Sequence, residues 1–408
     1  MSVVSTNFPA TRPRLKFGIF MPPMHPTRED PTLSIERDMQ LIEWLDMLGY
    51  DEAWIGEHHS GGWEIIGSPE VFIAAASQHT KTIKFGTGVN SIPYHNIFTL
   101  ADRIRQLEYV TRGRIMFGMG PGSLPSDAYM QGVVTADARD ILEESIEPLV
   151  RLLRGETVTM KGKTFNLQEA RLQYPPYTAE GPDIATASQV SPTGARMCGK
   201  FGLSMLSLGA TSSGGFNALA ANWKIAEDTA AEYGQTIKRS GWRLVGPVHI
   251  AETREKAREN VRYGLARWVE YMAEVASIPL SPPPGVDPAD HLINIGFAVI
   301  GTPDDFVDQI QRLREQAGDF GAFLNLDHHW ADTAETFRSY ELIAKYVIPK
   351  VNRLTRPAIE SEAWIKQNHE RFHGEMSRAV KAKIDQYAAE KGSETLNPDI
   401  VAHFSKTK

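Results

Sequence analysis

Eight short apolar runs recur along the chain, each parted from the next by residues with helical spacing, and this alternation limits the fold more than any other feature. The runs are Leu15–Met21, Glu52–Gly56, Ile83–Val89, Ile115–Met119, Asp183–Ala187, Leu203–Leu208, Arg243–Ile250 and Ala322–Leu326. Between the first two, Ile35, Met39 and Ile42 fall at i, i+4 and i+7, with Leu41, Leu45 and Leu48 widening the stripe. Strands buried on both faces and separated by helices pair in parallel, because each crossover takes a helix. Eight such units favour a closed barrel over an open doubly wound sheet. The absence of Gly-x-Gly-x-x-Gly after the first run also counts against a dinucleotide-binding sheet. The expected fold is therefore an α/β (β/α)8 TIM barrel over 15–352, with loop insertions, an N-terminal arm (1–14) and a helical C-terminal extension (353–408).

Local signals support this division. Ser68-Pro69, Ser191-Pro192 and Thr302-Pro303 each set a capping hydroxyl before a proline suited to the first helical position. Gly49 and Gly202 stand where helices should stop. Three segments break the alternation. Pro121–Asp137 reads as a mobile loop over the barrel mouth. Thr157–Leu167 reads as a hairpin around Lys161-Gly162-Lys163. Ser277–Ile295, with Pro279 and the run Pro282-Pro-Pro-Gly285, reads as a lid or a long connector.

Composition narrows the function classes. The net charge of -7 and the lack of a long basic run argue against a nucleic-acid partner. No apolar stretch is long enough to span a bilayer, and the first residues lack the apolar core of a signal peptide. With one cysteine, Cys198, an internal disulfide is impossible, and a cytoplasmic enzyme is the expectation. Cys198 lies among small and apolar residues with no neighbouring base, so it reads as a buried structural thiol.

The titratable residues cluster at strand ends. Asp51-Glu-Ala-Trp-Ile-Gly-Glu-His-His59 closes the second run with Glu57, His58 and His59; Asn325-Leu-Asp-His-His-Trp330 closes the last with Asp327, His328 and His329. In a barrel these ends share one mouth, so both clusters are expected to face a common site. Strand alternation lets only one histidine of each pair face inward, and Glu57 is placed to fix the His58 tautomer. A histidine at a strand end can equally bond a backbone carbonyl. Around the mouth, Met21, Met24, Trp63, Leu208 and His328 form an expected apolar substrate pocket. Ser191 has two compatible readings, a helix cap and an anion site at a helix N-terminus.

Taken in order, Leu48-Gly-Tyr-Asp-Glu-Ala-Trp-Ile-Gly-Glu-His-His59, Lys84-Phe-Gly-Thr-Gly88, Gly113-Arg-Ile-Met-Phe-Gly-Met-Gly120 and Ser191-Pro-Thr-Gly-Ala-Arg-Met-Cys-Gly-Lys-Phe-Gly202 resemble the bacterial luciferase-like superfamily of flavin-dependent monooxygenases. The Met-Pro-Pro-Met-His-Pro start, Gly-Glu-His-His-Ser-Gly-Gly and the long tail are most similar to its limonene 1,2-monooxygenase-like members. The resemblance implies a homodimer that takes reduced FMN from a separate flavin reductase. It also implies that O2 is used, through a flavin C4a-hydroperoxide, to oxygenate a small apolar substrate. By position His58 matches the catalytic histidine. Gly88-Val89 matches a non-proline cis peptide beneath the flavin ring, and Asn90 matches a contact to the ring edge. Ser191 matches a phosphate-binding hydroxyl, flanked by Val190 and Thr193. Met119, Gly120 and Ser188 complete the implied cofactor set. One departure is Pro121, where luciferase carries an arginine for the phosphate.

Two rivals stand beside this reading. A deazaflavin F420-dependent oxidoreductase shares the barrel, but its acidic tail calls for basic residues that are few here. A metal-dependent hydrolase would pair histidines from the two clusters, yet adjacent histidines on a regular strand do not both face one ion. No metal site is expected.

Overall fold

All eight runs form strands. In chain order the strands are β1 (Lys16–Met21), β2 (Glu52–Ile55), β3 (Lys84–Ser91), β4 (Ile115–Gly120), β5 (Val158–Lys161), β6 (Asn166–Ala170), β7 (Asp183–Ser188), β8 (Ser204–Ser207), β9 (Trp242–Ile250), β10 (Val299–Gly301) and β11 (Ala322–Leu326). In the computed structural model, which describes residues 13–392, 394, 396–399 and 402, eight of them close a parallel barrel in the order β1-β2-β3-β4-β7-β8-β9-β11 and back to β1. β5 and β6 are the expected hairpin, antiparallel and outside the barrel.

β10 is a strand the sequence reading missed. Its three residues carry too little alternation to stand out between the helices that flank it. It adds to β9 in parallel, pairing Val299 with Val248 just beyond the point where β11 stops, at Leu326 opposite Pro247.

Alternation assigns the two faces of the wall. Phe20, Trp54, Met116, Ala185, Leu206, Val245 and Leu324 fill the interior. Phe17, Ile19, Met21, Ala53, Ile55, Phe117 and Met119 pack outward against the helices. The interior is so tight that a Cβ on Gly86 would lie 2.4 Å from the Trp54 ring.

One end of the barrel is closed by buried charge. Arg243 donates from Nε to Glu52 Oε2 and from Nη2 to Asp183 Oδ2, both at 2.6 Å, and its guanidinium lies 4.9 Å from the Trp54 ring centre. Trp54 Nε1 donates to the same Glu52 oxygen at 3.0 Å, and Lys16 Nζ reaches Oε1 at 3.1 Å. Burial raises the Glu52 pKa, but the Arg243 charge and hydrogen bonds outweigh it and hold the group at about 2. These residues start their strands, so they form the floor and leave the C-terminal strand ends as the mouth.

The three Ser/Thr-Pro starts diverge. Thr302 makes a full capping box with Asp305. Ser68 is an N-cap without a side-chain cap bond, its hydroxyl donating instead to Glu70. Ser191 is not a cap: the helix Thr193–Phe201 starts from Pro192, whose side chain offers no acceptor, so its first N–H groups lack a side-chain partner. Gly49 and Gly202 end their helices in left-handed geometry, as expected.

Pro121–Asp137 is not a featureless loop. It holds a short helix, Pro125–Met130, with Asp127 buried. Ser277–Ile295 is a connector that sinks Leu280 into an apolar cluster with Trp268 and Trp330 before the helix Pro288–Asn294. Cys198 is buried, donates to the Leu203 carbonyl at 2.9 Å, and is pushed up to about 12 by burial.

Two compact units emerge, one through Asn352 and one from Arg353. The first is closed at its ends by Asn352, whose side chain accepts from the Leu15 N–H at 2.8 Å and donates to the Leu15 carbonyl at 3.0 Å. The second is helical, with Arg356–Gln367 followed by His369–Lys391. No helix among the described residues is long and apolar enough to cross a membrane. The expected arm, 1–14, lies almost wholly outside the described residues.

Candidate active site

β2 ends at Ile55, before the histidines, so strand alternation does not decide where they point. Local hydrogen bonds do. Glu57 turns inward and is fully enclosed. It accepts from His59 Nε2 at 3.0 Å, His95 Nε2 at 2.9 Å, Asn90 Nδ2 at 3.1 Å and the Ser91 N–H at 3.1 Å. Burial raises its pKa, but those donors prevail and hold it at about 2. Glu57 therefore ties β2 to the end of β3; it does not orient His58, which corrects the expectation from sequence.

His58 has two other partners. Its Nδ1 lies 3.1 Å from Asp127 Oδ2, on the short helix after β4, and its Nε2 lies 2.9 Å from Glu64 Oε2. Burial, the largest influence, lowers its pKa, yet the Glu64 charge and the hydrogen bonds to both acids lift it to about 10. Glu64 is fixed in turn by the Tyr271 hydroxyl at 2.7 Å, and its main chain bridges Met24. Asp127 also accepts from the His59 N–H at 3.1 Å and from the Ser60 hydroxyl. Sequence reasoning missed Glu64, Asp127 and His95. Glu64 did leave a signal: a single acid between Trp63 and Ile65-Ile66 is a charge in an apolar run, which calls for a partner.

The implied cofactor residues converge on the same rim. The Gly88–Val89 peptide is cis. Asn90 is fully buried, and its Oδ1 has no hydrogen-bond partner. Gly120 packs against Val89 so closely that a Cβ there would lie 2.5 Å from Val89 Cγ2. Ser188 is buried at the end of β7, with Asn222 Nδ2 3.4 Å from its hydroxyl; Val190 and Ser191 are exposed beyond it, and Thr193 opens the uncapped helix. Met119 faces outward into the core, so only its main chain lies toward this rim.

The expected pocket fares unevenly. Leu208 is half-buried above the barrel interior with Val89 and Leu326. Trp63 stacks on Tyr271 at 5.0 Å, and Met24 accepts from Trp268 Nε1 at 3.0 Å. Met21 faces outward into the helix layer, so its side chain does not line the barrel interior. His328 also departs: it stacks on Trp330 at 3.9 Å and bonds the Val248 carbonyl at 3.1 Å, and burial pushes it down to about 3.

The second acid–His–His cluster is a separate buried assembly. Asp327, raised to about 7 by burial and then by the Asp38 charge, neighbours Tyr340; His25 Nε2 lies 2.8 Å from Asp38, and His329 Nε2 lies 3.3 Å from Glu29. Among the described residues no side-chain hydrogen bond or ion pair joins it to His58; the two clusters meet only through main chain, where the His25 N–H donates to the Trp63 carbonyl at 2.9 Å. Nor does any group of three or more His, Cys, Asp or Glu among those residues have a metal-holding arrangement.

A parallel barrel with a titratable cluster and uncommitted polar atoms at its mouth has the layout of an α/β barrel enzyme. The chain belongs to the luciferase-like monooxygenase family, which it matches over residues 15–319. It is 47% identical over 340 residues to limonene 1,2-monooxygenase of Rhodococcus erythropolis, covering 83% of this chain and 87% of that protein. It is 41% identical over 361 residues to 4-hydroxyprotoasukamycin monooxygenase of Streptomyces nodosus subsp. asukaensis, covering 86% and 96%. Among solved structures it resembles the oxygenating constituent of 3,6-diketocamphane monooxygenase of Pseudomonas putida, a type II Baeyer–Villiger monooxygenase in complex with FMN. That likeness has a TM-score of 0.69 and 26% identity, over 83% of this chain and 99% of that one.

Proposed function

We propose that this monooxygenase is the oxygenating half of a two-component system. It takes reduced FMN from a separate flavin reductase, and it places one atom of O2 in a small apolar organic substrate by epoxidation, hydroxylation or Baeyer–Villiger insertion. The observation that carries the reading is Asn90 Oδ1, a buried acceptor without a donor beside the His58 cluster. A buried orphan of this kind calls for a ligand N–H, which the edge of a flavin ring carries. The free N–H groups that open the helix Thr193–Phe201 fit a phosphate, with Ser191 and Thr193 beside them.

When bound, reduced FMN supplies the electrons that activate O2. The chain's own residues supply the rest. Val89, Leu208 and Leu326 keep water from the reacting face, which protects it from wasteful breakdown. His58 presents a proton on a ring held at a fixed angle by Asp127 and Glu64. The enzyme works as a homodimer, which sedimentation of the purified chain tests directly.

The deciding experiment is anaerobic titration with oxidised and photoreduced FMN, followed by admission of O2 with limonene as a probe. Tighter binding of the reduced form and oxygenated product support the proposal. No affinity for FMN together with affinity for F420 would replace it with deazaflavin chemistry.

A further inference from the structure

Both ring nitrogens of His58 end on carboxylate oxygens, 3.1 Å from Asp127 and 2.9 Å from Glu64. A neutral imidazole has one N–H and one lone pair, so it serves one carboxylate and turns its lone pair on the other. The doubly protonated ring donates to both. The two acids are anchored from outside the pair, Glu64 by the Tyr271 hydroxyl and Asp127 by the His59 N–H and the Ser60 hydroxyl. They come from different parts of the rim: the loop after β2, the short helix after β4, and, through Tyr271, the helix Leu265–Glu274.

The other charges nearby do not compete for the ring. Glu57 is occupied by His59 and His95, and Tyr94, whose pKa is pushed to about 12 by burial and then by Asp127 and Glu57, is neutral. Two acids thus converge on a single base, in a site that is 14% exposed at the imidazole.

We infer that Glu64 and Asp127 are positioning residues that clamp His58 as an imidazolium in the resting enzyme, so that it enters the reaction as a positive charge and proton donor and not as a base. The role in the reaction rests on the reading that this rim binds reduced FMN. Negative charge that builds as O2 is reduced meets a cation already in place, which needs no reorganisation of solvent at that moment. The pKa of about 10, reached against the opposing effect of burial, agrees with the geometry.

The test needs no cofactor. In protein labelled with ¹⁵N-histidine, the His58 signals are assigned by their loss in His58→Gln, and their shifts are followed between about pH 6 and 9. In the wild type both nitrogens should hold imidazolium shifts throughout. In Glu64→Gln, and independently in Asp127→Asn, the midpoint should fall by about 1–3 units into that window, as expected for loss of a neighbouring opposite charge; Glu64→Asp should restore it. The alkaline limb of product formation should move down with the NMR midpoint. A wild-type His58 that titrates near its ordinary value of about 6.5 overturns the clamp, as does an unmoved midpoint in both amide variants. Reduced-FMN affinity in the same samples separates the two readings. Loss of FMN binding with His58 still protonated removes the cofactor and leaves the clamp.

Discussion

At the scale of residues, His58 decides the most. Replacing it with alanine should lower product formation by about 10²- to 10⁴-fold, the range for a lost acid–base group. Reduced-FMN affinity should stay within a few fold, and stopped-flow turnover beside a binding titration checks both. The same ring links stability to pH. Its folded pKa of about 10 lies above the unfolded value of about 6.5, so its contribution is complete below about 6.5 and is lost as pH rises through 10. Urea midpoints measured across that interval should fall with pH in the wild type and fall less in Glu64→Gln. The sequence made Glu57 and His58 conspicuous but not their partners. Periodicity reports on strands, and β2 stops at Ile55, so the pairing is set by Glu64 arriving from a loop and Asp127 from a short helix. For the same reason Asp327 and His328, so similar in pattern, belong to a different cluster: the text of a strand end does not say which way the chain turns after it.

At the scale of elements, one written pattern has three outcomes. Ser68-Pro69, Ser191-Pro192 and Thr302-Pro303 look alike, yet only Thr302 closes a capping box. Thr302→Ala should cost about 1 kcal/mol, whereas Ser68→Ala and Ser191→Ala should stay within about 0.5 kcal/mol, measured by denaturant unfolding. A hydroxyl caps a helix only if the chain enters at the right angle, and that angle is tertiary. The barrel strands were legible because burial on both faces makes their residues almost uniformly apolar. β10 was not, since three residues between helices leave no period to read. The Gly, Pro and Ser of Pro121–Asp137 suggested a loop, but Pro125 sits at the start of a helix whose first-turn acid, Asp127, is drawn in by His58.

At the scale of the whole molecule, the barrel's two ends are built on opposite terms. The floor joins Glu52, Asp183 and Arg243 into a charge cluster in which Glu52 and Arg243 are almost wholly buried, and Arg243→Met would strand Glu52 without its main partner. Such a break should cost about 3–5 kcal/mol, seen as a lower urea midpoint with an unchanged slope. The mouth instead keeps Asn90 Oδ1 uncommitted. One topological detail bears on how such a mouth changes over time. The chain leaves β9 at Ile250, builds a run of helices, one of which carries both Trp268 and Tyr271, and returns through β10 to lie against the very strand it left. That excursion is a handle fastened at both ends to a single rail, and β11 takes its place lower on the same rail. A handle of this kind can be lengthened, shortened or swapped without shifting any strand of the barrel by a residue, so one chassis can be fitted to many substrates.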